Sequence, residues 1–164
     1  MLIASSNEDE IQEVKTYLLK YYEMKDMGMV NKFLGLNIEQ KSNCITLSLE
    51  DYIEKKVEEL GLEDLHKPYT PLQNKVDYFD ESSPKLDNIT KYQSLIGTLL
   101  FVSNTGRPDV AYAVSFLSRF LKDPRVIHYK AAKRIMGYLL ATKDYKLKYS
   151  DDGIKCFKIY TDAS

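Results

Sequence analysis

Cysteine and histidine are scarce in this chain of 164 residues, which contains two of each. Cys44 and Cys156 lie far apart, and no Cys or His cluster has the spacing of a metal site. The composition therefore favours two free thiols in a reducing, intracellular setting over a disulfide framework or a Cys/His metal centre. No catalytic constellation surrounds His66, and we expect His128, beside Tyr129 at a predicted helix start, to be a packing residue.

Long hydrophobic runs are also missing. No apolar stretch approaches the roughly 20 residues that a membrane-spanning helix needs, so we expect no membrane partner. The chain starts MLIASSNEDE, in which a very short apolar stretch is followed at once by acids, unlike a signal peptide. Hydrophobic residues make up 44% and charged residues 29%, which is typical of a globular protein with one ordinary core.

Arginine is absent from the first 106 residues. That stretch has 11 Lys against 18 Asp and Glu, a net charge of −7, whereas residues 107–148 have 10 Lys and Arg against 3 Asp, a net charge of +7. A basic region on a nearly neutral chain indicates a polyanionic partner for that region alone, nucleic acid being the candidate. The alternative is an ordinary solvated helix surface.

Hydrophobic periodicity predicts an α+β fold. The opening MLIASS has the pattern of a buried strand, and the apolar runs at 33–39 and 44–49, separated by four polar residues, predict a hairpin. Helical spacing of apolar residues, with start and stop signals such as Asn7, Gly61 and Pro108, predicts helices over 8–22, about 51–60, 91–103, 108–121 and 126–141. Residues 62–90 contain three prolines and little periodicity, so we expect an irregular connection there.

The end of the chain changes to a strand-like period. Residues 146–149 and 154–161 alternate in polarity, and SDDG lies between them. An Asp-Gly pair between two β-prone runs is a strong signal for a β-hairpin. The predicted order is therefore strand, helix and hairpin, then a helical region, then a terminal hairpin.

Six sequence stretches carry a more specific signal than periodicity. In order they read KDMGMVNKFLGLNI, CITLSLEDYIEKKVEELGL, KPYTPL, YQSLIGTLLFVSNTGRPDVAYAVSFLSRF, HYKAAKRIMGYLLAT and IYTDAS. Together they resemble the part of a copia-type retrotransposon Pol polyprotein that runs from the middle of the reverse transcriptase into ribonuclease H. The resemblance implies three parts: a partial palm over 1–49, thumb and connection helices over 50–145, and the first strands of a ribonuclease H domain over 146–164.

The resemblance also implies where the metal chemistry lies. In such enzymes a Tyr-x-Asp-Asp turn carries two polymerase carboxylates, and residues like MLIAS follow that turn. Nucleotidyl transfer with two divalent ions requires several fixed oxygen ligands. Asp162 resembles one of the four ribonuclease H carboxylates, and it would bind metal and catalyse only together with acids further along. We therefore expect a truncated fragment that is no enzyme alone and binds no cofactor, although the parent enzyme uses Mg²⁺.

Two nucleic-acid contacts follow from the same resemblance. The hairpin at 33–49 resembles the primer grip, which makes Phe33, Leu34 and Gly35 candidate contacts, although we favour a plain sheet-core position for Leu34 and Ile38. In the helical region the candidates for phosphate binding are the basic residues Arg125, Lys130, Lys133 and Arg134. Arg107 is expected to pair with Asp109 or to cap the carbonyl groups of the preceding helix.

The expected partner is an RNA/DNA template-primer duplex, held weakly through its backbone. Two alternatives to an inactive fragment stay open. The chain could be a duplex-binding module without sequence preference, or it could complement a separate catalytic chain that supplies the palm and fingers. The parent family implies an intracellular location, in the cytoplasm or in a virus-like particle.

Overall fold

Residues 1–150 are described by the structure, a computed structural model, and they form five α-helices and a four-stranded sheet. The helices are α1 (Glu8–Tyr21), α2 (Glu50–Glu59), α3 (Ile89–Thr105), α4 (Ala111–Ser118) and α5 (Val126–Ala141). The strands are β1 (Lys32–Phe33), β2 (Leu36–Lys41), β3 (Cys44–Ser48) and β4 (Leu147–Ser150). The predicted α+β class is confirmed.

The core is built mainly by helices α2 to α5. Each contributes apolar side chains at helical spacing, which are less than 9% exposed and pack into one cluster: Ile53 and Val57 from α2, Tyr92, Leu95, Ile96, Leu99 and Val102 from α3, Val114 and Leu117 from α4, and Ala132, Ile135, Met136 and Leu139 from α5. The hydroxyl of Tyr92 is also satisfied, because it donates a 2.7 Å hydrogen bond to the Leu117 carbonyl. The three predicted helices of this region are thereby confirmed as core elements.

The sheet is antiparallel in the order β1-β2-β3-β4. Strands β2 and β3 form the predicted hairpin, with Ile38 opposite Leu47. Strand β4 extends the sheet by pairing with β3, so that Thr46 lies opposite Lys148. The second strand expected for the terminal hairpin, at 154–161, lies outside the described residues. The sheet therefore joins residues 32–48 to residues 147–150, which lie about 100 residues apart in the chain.

Three expectations about local structure are wrong. Residues 1–6 form no strand; Leu2 is 47% exposed. The run 33–39 is interrupted at Leu34 and Gly35, whose positive φ angles of 48° and 83° make a tight turn between β1 and β2. The helix predicted over 108–121 begins as a 3₁₀ turn, Pro108–Val110, and its α-helical part ends at Ser118. An apolar run alone does not show whether a segment becomes a strand, because a strand is stable only when it hydrogen-bonds to a neighbouring strand, and the sequence does not specify that neighbour.

Arg107 connects the end of α3 to the end of α5. It is only 2% exposed, and its guanidinium binds both carboxylate oxygens of Asp109, at 2.9 and 2.7 Å. It also donates to the Thr142 carbonyl (2.9 Å) and to the Thr142 hydroxyl (2.6 Å), just past the C-terminus of α5. Tyr138 donates to Asp109 at 2.9 Å. The expected Arg107–Asp109 pair is confirmed, and the carbonyl that Arg107 binds belongs to the end of α5 rather than to the preceding helix.

The ion pair changes the titration of its members. Burial raises the pKa of Asp109, but the hydrogen bonds from Arg107 and Tyr138 outweigh it, so the pKa lies below the ordinary 3.8. Burial and the neighbouring Asp109 raise the pKa of Tyr138. Since the folded-state pKa of Asp109 is depressed, its stabilising contribution is present above pH 3.8 and is lost as the pH falls through the lower folded-state value.

Arg107→Lys should lower the free energy of unfolding by about 2 kcal/mol, because an ammonium group cannot replace the forked guanidinium contacts. The control is Arg119→Lys, since Arg119 is exposed and lies only against the Phe79 and Phe116 rings. We expect the control to change the free energy by less than about 0.5 kcal/mol. Urea unfolding at pH 7 measures both, and equal midpoints for the two variants would contradict this role of Arg107.

Candidate nucleic-acid interface

A cleft of about 480 Å³ lies between residues 64–78 of the irregular connection and the first half of α5. We call it the α5 cleft. Its apolar lining comes from both sides, with Leu65 and Val76 from the connection and Ile127 and Ala131 from α5. Its size falls within the range of roughly 300–1,000 Å³ typical of ligand-binding pockets. The connection thus builds one wall of a concave site.

A glycine of α5 lets the connection lie against the helix. A Cβ atom placed on Gly137 would stand 2.1 Å from the His66 carbonyl oxygen, far closer than real Cβ contacts, and 3.4 Å from Cδ of Pro68. Any larger side chain at residue 137 would therefore push residues 66–68 off the helix. This close approach sets the position of the cleft wall that His66 and Leu65 form.

Three of the predicted phosphate-binding residues line the α5 cleft. Lys130 is exposed, and Lys133 and Arg134 are half-buried. Against these three cations stands one lining carboxylate, Asp64. Arg134 donates from Nη2 to the Thr70 hydroxyl at 3.0 Å. Within residues 1–150, its buried Nε has no hydrogen-bond acceptor. The cleft lining therefore carries net positive charge.

Arg125, the fourth basic candidate, is placed differently. It precedes α5, and its Nη1 donates to the carbonyls of Glu81 and Ser83 at 2.7 and 2.8 Å. Those bonds hold the irregular connection beside the start of α5. Arg125 is not among the residues that line the cleft, so its guanidinium serves an internal contact that the sequence pattern did not predict.

His128 supports the same junction, as expected of a packing residue. It is 2% exposed and stacks on Phe120, with ring centroids 3.9 Å apart. Its Nδ1 accepts from the Arg125 backbone N–H at 2.9 Å, so its Nε2–H donates to the Tyr78 carbonyl at 2.7 Å. Burial lowers the pKa of His128; the Tyr78 carbonyl opposes this shift and Arg125 adds to it. The neutral ring thus ties the connection to the helix at neutral pH.

The primer-grip candidates form the tip of a hairpin in the sheet. Phe33 ends β1 and is half-buried, Leu34 is 73% exposed, and Gly35 packs so tightly that a Cβ would lie 3.3 Å from the Tyr52 ring. None of the three lines the α5 cleft. Leu34 and Gly35 are both exposed, so the sheet-core position favoured for Leu34 is wrong. Their contact with nucleic acid stays a prediction.

Asp162 lies outside the described residues. Within residues 1–150, no three His, Cys, Asp or Glu side chains are grouped as a metal site would require. Tyr149, Ser150, Asp151 and Asp152 match the Tyr-x-Asp-Asp pattern by their letters, in a stretch where the sequence predicts a hairpin turn. Tyr149 and Ser150 belong to β4, opposite Ile45 and Cys44. The two aspartates follow the described part of the chain.

Helices in the described part of the chain are too short or too polar to cross a bilayer.

Comparison with known proteins shows which proteins the chain is similar to. Residues 1–74 match the family model described as reverse transcriptase (RNA-dependent DNA polymerase). The whole chain aligns at 48% identity with the putative transposon Ty5-1 protein of Saccharomyces cerevisiae. It aligns over 99% of its length at 33% identity with the retrovirus-related Pol polyprotein from transposon TNT 1-94 of Nicotiana tabacum, and at 26% with that from transposon RE1 of Arabidopsis thaliana. By these matches the chain resembles the reverse transcriptase region of copia-type retrotransposon Pol polyproteins.

The chain spans only part of the length of these relatives. It covers 54% of the yeast protein, 13% of the tobacco polyprotein and 11% of the Arabidopsis polyprotein. No solved structure matches it. The family model matches residues 1–74, which include most of the cleft wall that the connection forms. Helix α5, which forms the other wall, lies beyond the matched residues.

Gly137→Ala should destabilise the chain by about 1–3 kcal/mol, because the new methyl group overlaps the His66 carbonyl. Gly97→Ala is the matched control: residue 97 also lies inside a helix, and nothing stands within 4 Å of its Cβ position. The control should gain up to about 1 kcal/mol from the better helix propensity of alanine. Thermal unfolding measures both; a stabilised Gly137→Ala variant would exclude the close approach.

Proposed function

We propose that this chain is a part of a retrotransposon reverse transcriptase that holds an RNA/DNA template-primer duplex through its backbone and does not synthesise DNA alone. The observation that carries the binding half is the meeting of Lys130, Lys133 and Arg134 at one cleft. Such cations bind phosphates without reading sequence, and their binding weakens with salt. The primer-grip candidates Phe33, Leu34 and Gly35 would add a second, mainly apolar contact.

The charge distribution of the chain supports the same proposal. Helix α5 presents two lysines at its cleft side, and neither Lys130 nor Lys133 forms an ion pair within residues 1–150. Lys133 lies instead over the Tyr129 ring, 6.0 Å from its centroid. By contrast, Lys143 near the end of α5 pairs with Glu50 and Glu54 of α2. Positive charge that is free to meet phosphate is therefore concentrated at the cleft end of the helix.

Replacing Lys130, Lys133 and Arg134 together by Ala should weaken duplex binding and reduce the slope of log affinity against log salt, by about one for each phosphate that the variant no longer neutralises. The control replaces the exposed Lys20, Lys55 and Lys91 by Ala, which changes the net charge equally at other sites. Fluorescence anisotropy with a labelled RNA/DNA duplex, titrated at several salt concentrations, measures the slope. If the two triple variants have the same slope, the cleft is not the binding site.

The inactivity half of the proposal rests on family resemblance. The matched stretches resemble the region that follows the polymerase Tyr-x-Asp-Asp turn in such enzymes. The parent enzyme draws the Mg²⁺ ligands of its polymerase site from that turn and from segments before it. Asp162 resembles a single ligand of the ribonuclease H centre. We therefore propose that the chain binds no cofactor of its own and that its intracellular location follows that of the parent element.

Primer extension on a primed RNA template with Mg²⁺ tests this half of the proposal, and we expect no extension by the purified chain. The control is Asp151→Asn with Asp152→Asn, which removes the carboxylates of the Tyr-x-Asp-Asp string at residues 149–152. Synthesis that the chain performs and the double variant does not would overturn the proposal. Synthesis that both preparations perform equally would identify a contaminating polymerase.

A second candidate function is complementation of a separate catalytic chain. Helix α1 favours it, because the helix has no buried residue and leaves Val14 43% and Tyr17 62% exposed. Exposed apolar side chains on one helix are typical of a face that packs against another element. Adding a chain that carries the palm and fingers to the same extension assay would restore synthesis if this alternative holds.

A further inference from the structure

We propose that the α5 cleft takes up an unpaired nucleotide of a nucleic-acid strand, with the base on the apolar lining and the phosphates on the cations. This inference rests on the proposed function and deepens it, because it names the part of the nucleic acid that enters the cleft. Two features of the cleft carry it: its concave shape and its two kinds of lining.

The cleft is concave, and its deeper lining is apolar. Ala131 is 6% exposed, and Leu65, Val76 and Ile127 are half-buried around it. A duplex presents phosphates and sugars on its outside and keeps its bases stacked within, so it would use the cationic rim and leave this lining empty. An unpaired base can leave the stack and cover an apolar surface, as in the recognition of single strands.

Cationic and apolar side chains stand beside one another in the cleft. The three cations all come from α5, as do the apolar Ile127 and Ala131. The connection adds Leu65, Val76 and the half-buried Tyr78 beside the polar Asp64, His66 and Gln73. A ligand with a charged end and a flat, weakly polar end matches such a lining. A nucleotide is such a ligand, with its phosphate at one end and an aromatic base at the other.

Three labelled probes of equal length test the inference: a single strand, the same strand with abasic sites in place of its bases, and the RNA/DNA duplex. Fluorescence anisotropy should show the single strand binding about 10-fold more tightly than either of the others. Ala131→Leu fills the apolar part of the cleft and leaves all three cationic side chains in place. It should therefore reduce the affinity for the single strand to that for the abasic strand. Ala141→Leu, at an exposed position of the same helix, is the matched control and should change nothing.

Val76→Phe fills the cleft from its other wall and is used if Ala131→Leu lowers the melting temperature strongly. Equal affinity for the single strand and the abasic strand in the unaltered chain would overturn the inference, as would a filled cleft that binds single strands normally. Either result leaves the proposed function, the binding of a duplex by these lysines, unaffected. A duplex salt slope that does not respond to replacement of Lys130, Lys133 and Arg134 would instead overturn the proposed function itself.

Discussion

The buried guanidinium of Arg107 is the contact on which the helical region depends. It lies where α3 ends and the 3₁₀ turn Pro108–Val110 begins, and it binds Asp109 beside it and Thr142 beyond the end of α5. A buried cation is stable only when its donors are satisfied, and here four hydrogen bonds satisfy them. The arrangement fixes the C-terminal end of α5 relative to α3, and the Tyr138 and Tyr145 rings lie over the same charge.

The sheet is attached at the same place. Leu49, 1% exposed between β3 and α2, packs against Gly106, where a Cβ would meet its side chain at 3.0 Å. Lys143 adds ion pairs from the end of α5 to Glu50 and Glu54 of α2. The C-terminal end of α5 is thus held to the core and sheet, while its N-terminal half is left to face the irregular connection. This difference between the two ends of α5 explains why the cleft lies at the N-terminal half of the helix.

The connection over residues 62–90 shows how a segment without regular structure can build a site. It is held by backbone carbonyls rather than by a ladder: His66 approaches Gly137, Tyr78 binds His128, and Glu81 and Ser83 bind Arg125. Such bonds satisfy polar backbone groups that a strand or helix would satisfy internally. They also place Val76 and Tyr78 across the cleft from the lysines of α5, so that the cleft has both apolar and cationic lining.

The sequence by itself determined the family resemblance through its ordered motifs. It also determined the α+β class, most of the helices and the bounds of α5, because apolar spacing and capping residues such as Asn7 and Gly61 act locally. For Arg107 it left two partners open, the neighbouring Asp109 and the carbonyls of the preceding helix. Tertiary structure decided what each charge does: Arg125 binds carbonyls 42 and 44 residues away, whereas Lys130, Lys133 and Arg134 meet at a cleft. Sequence could not separate these roles, because the partners of a side chain are set by contacts between segments distant in the chain.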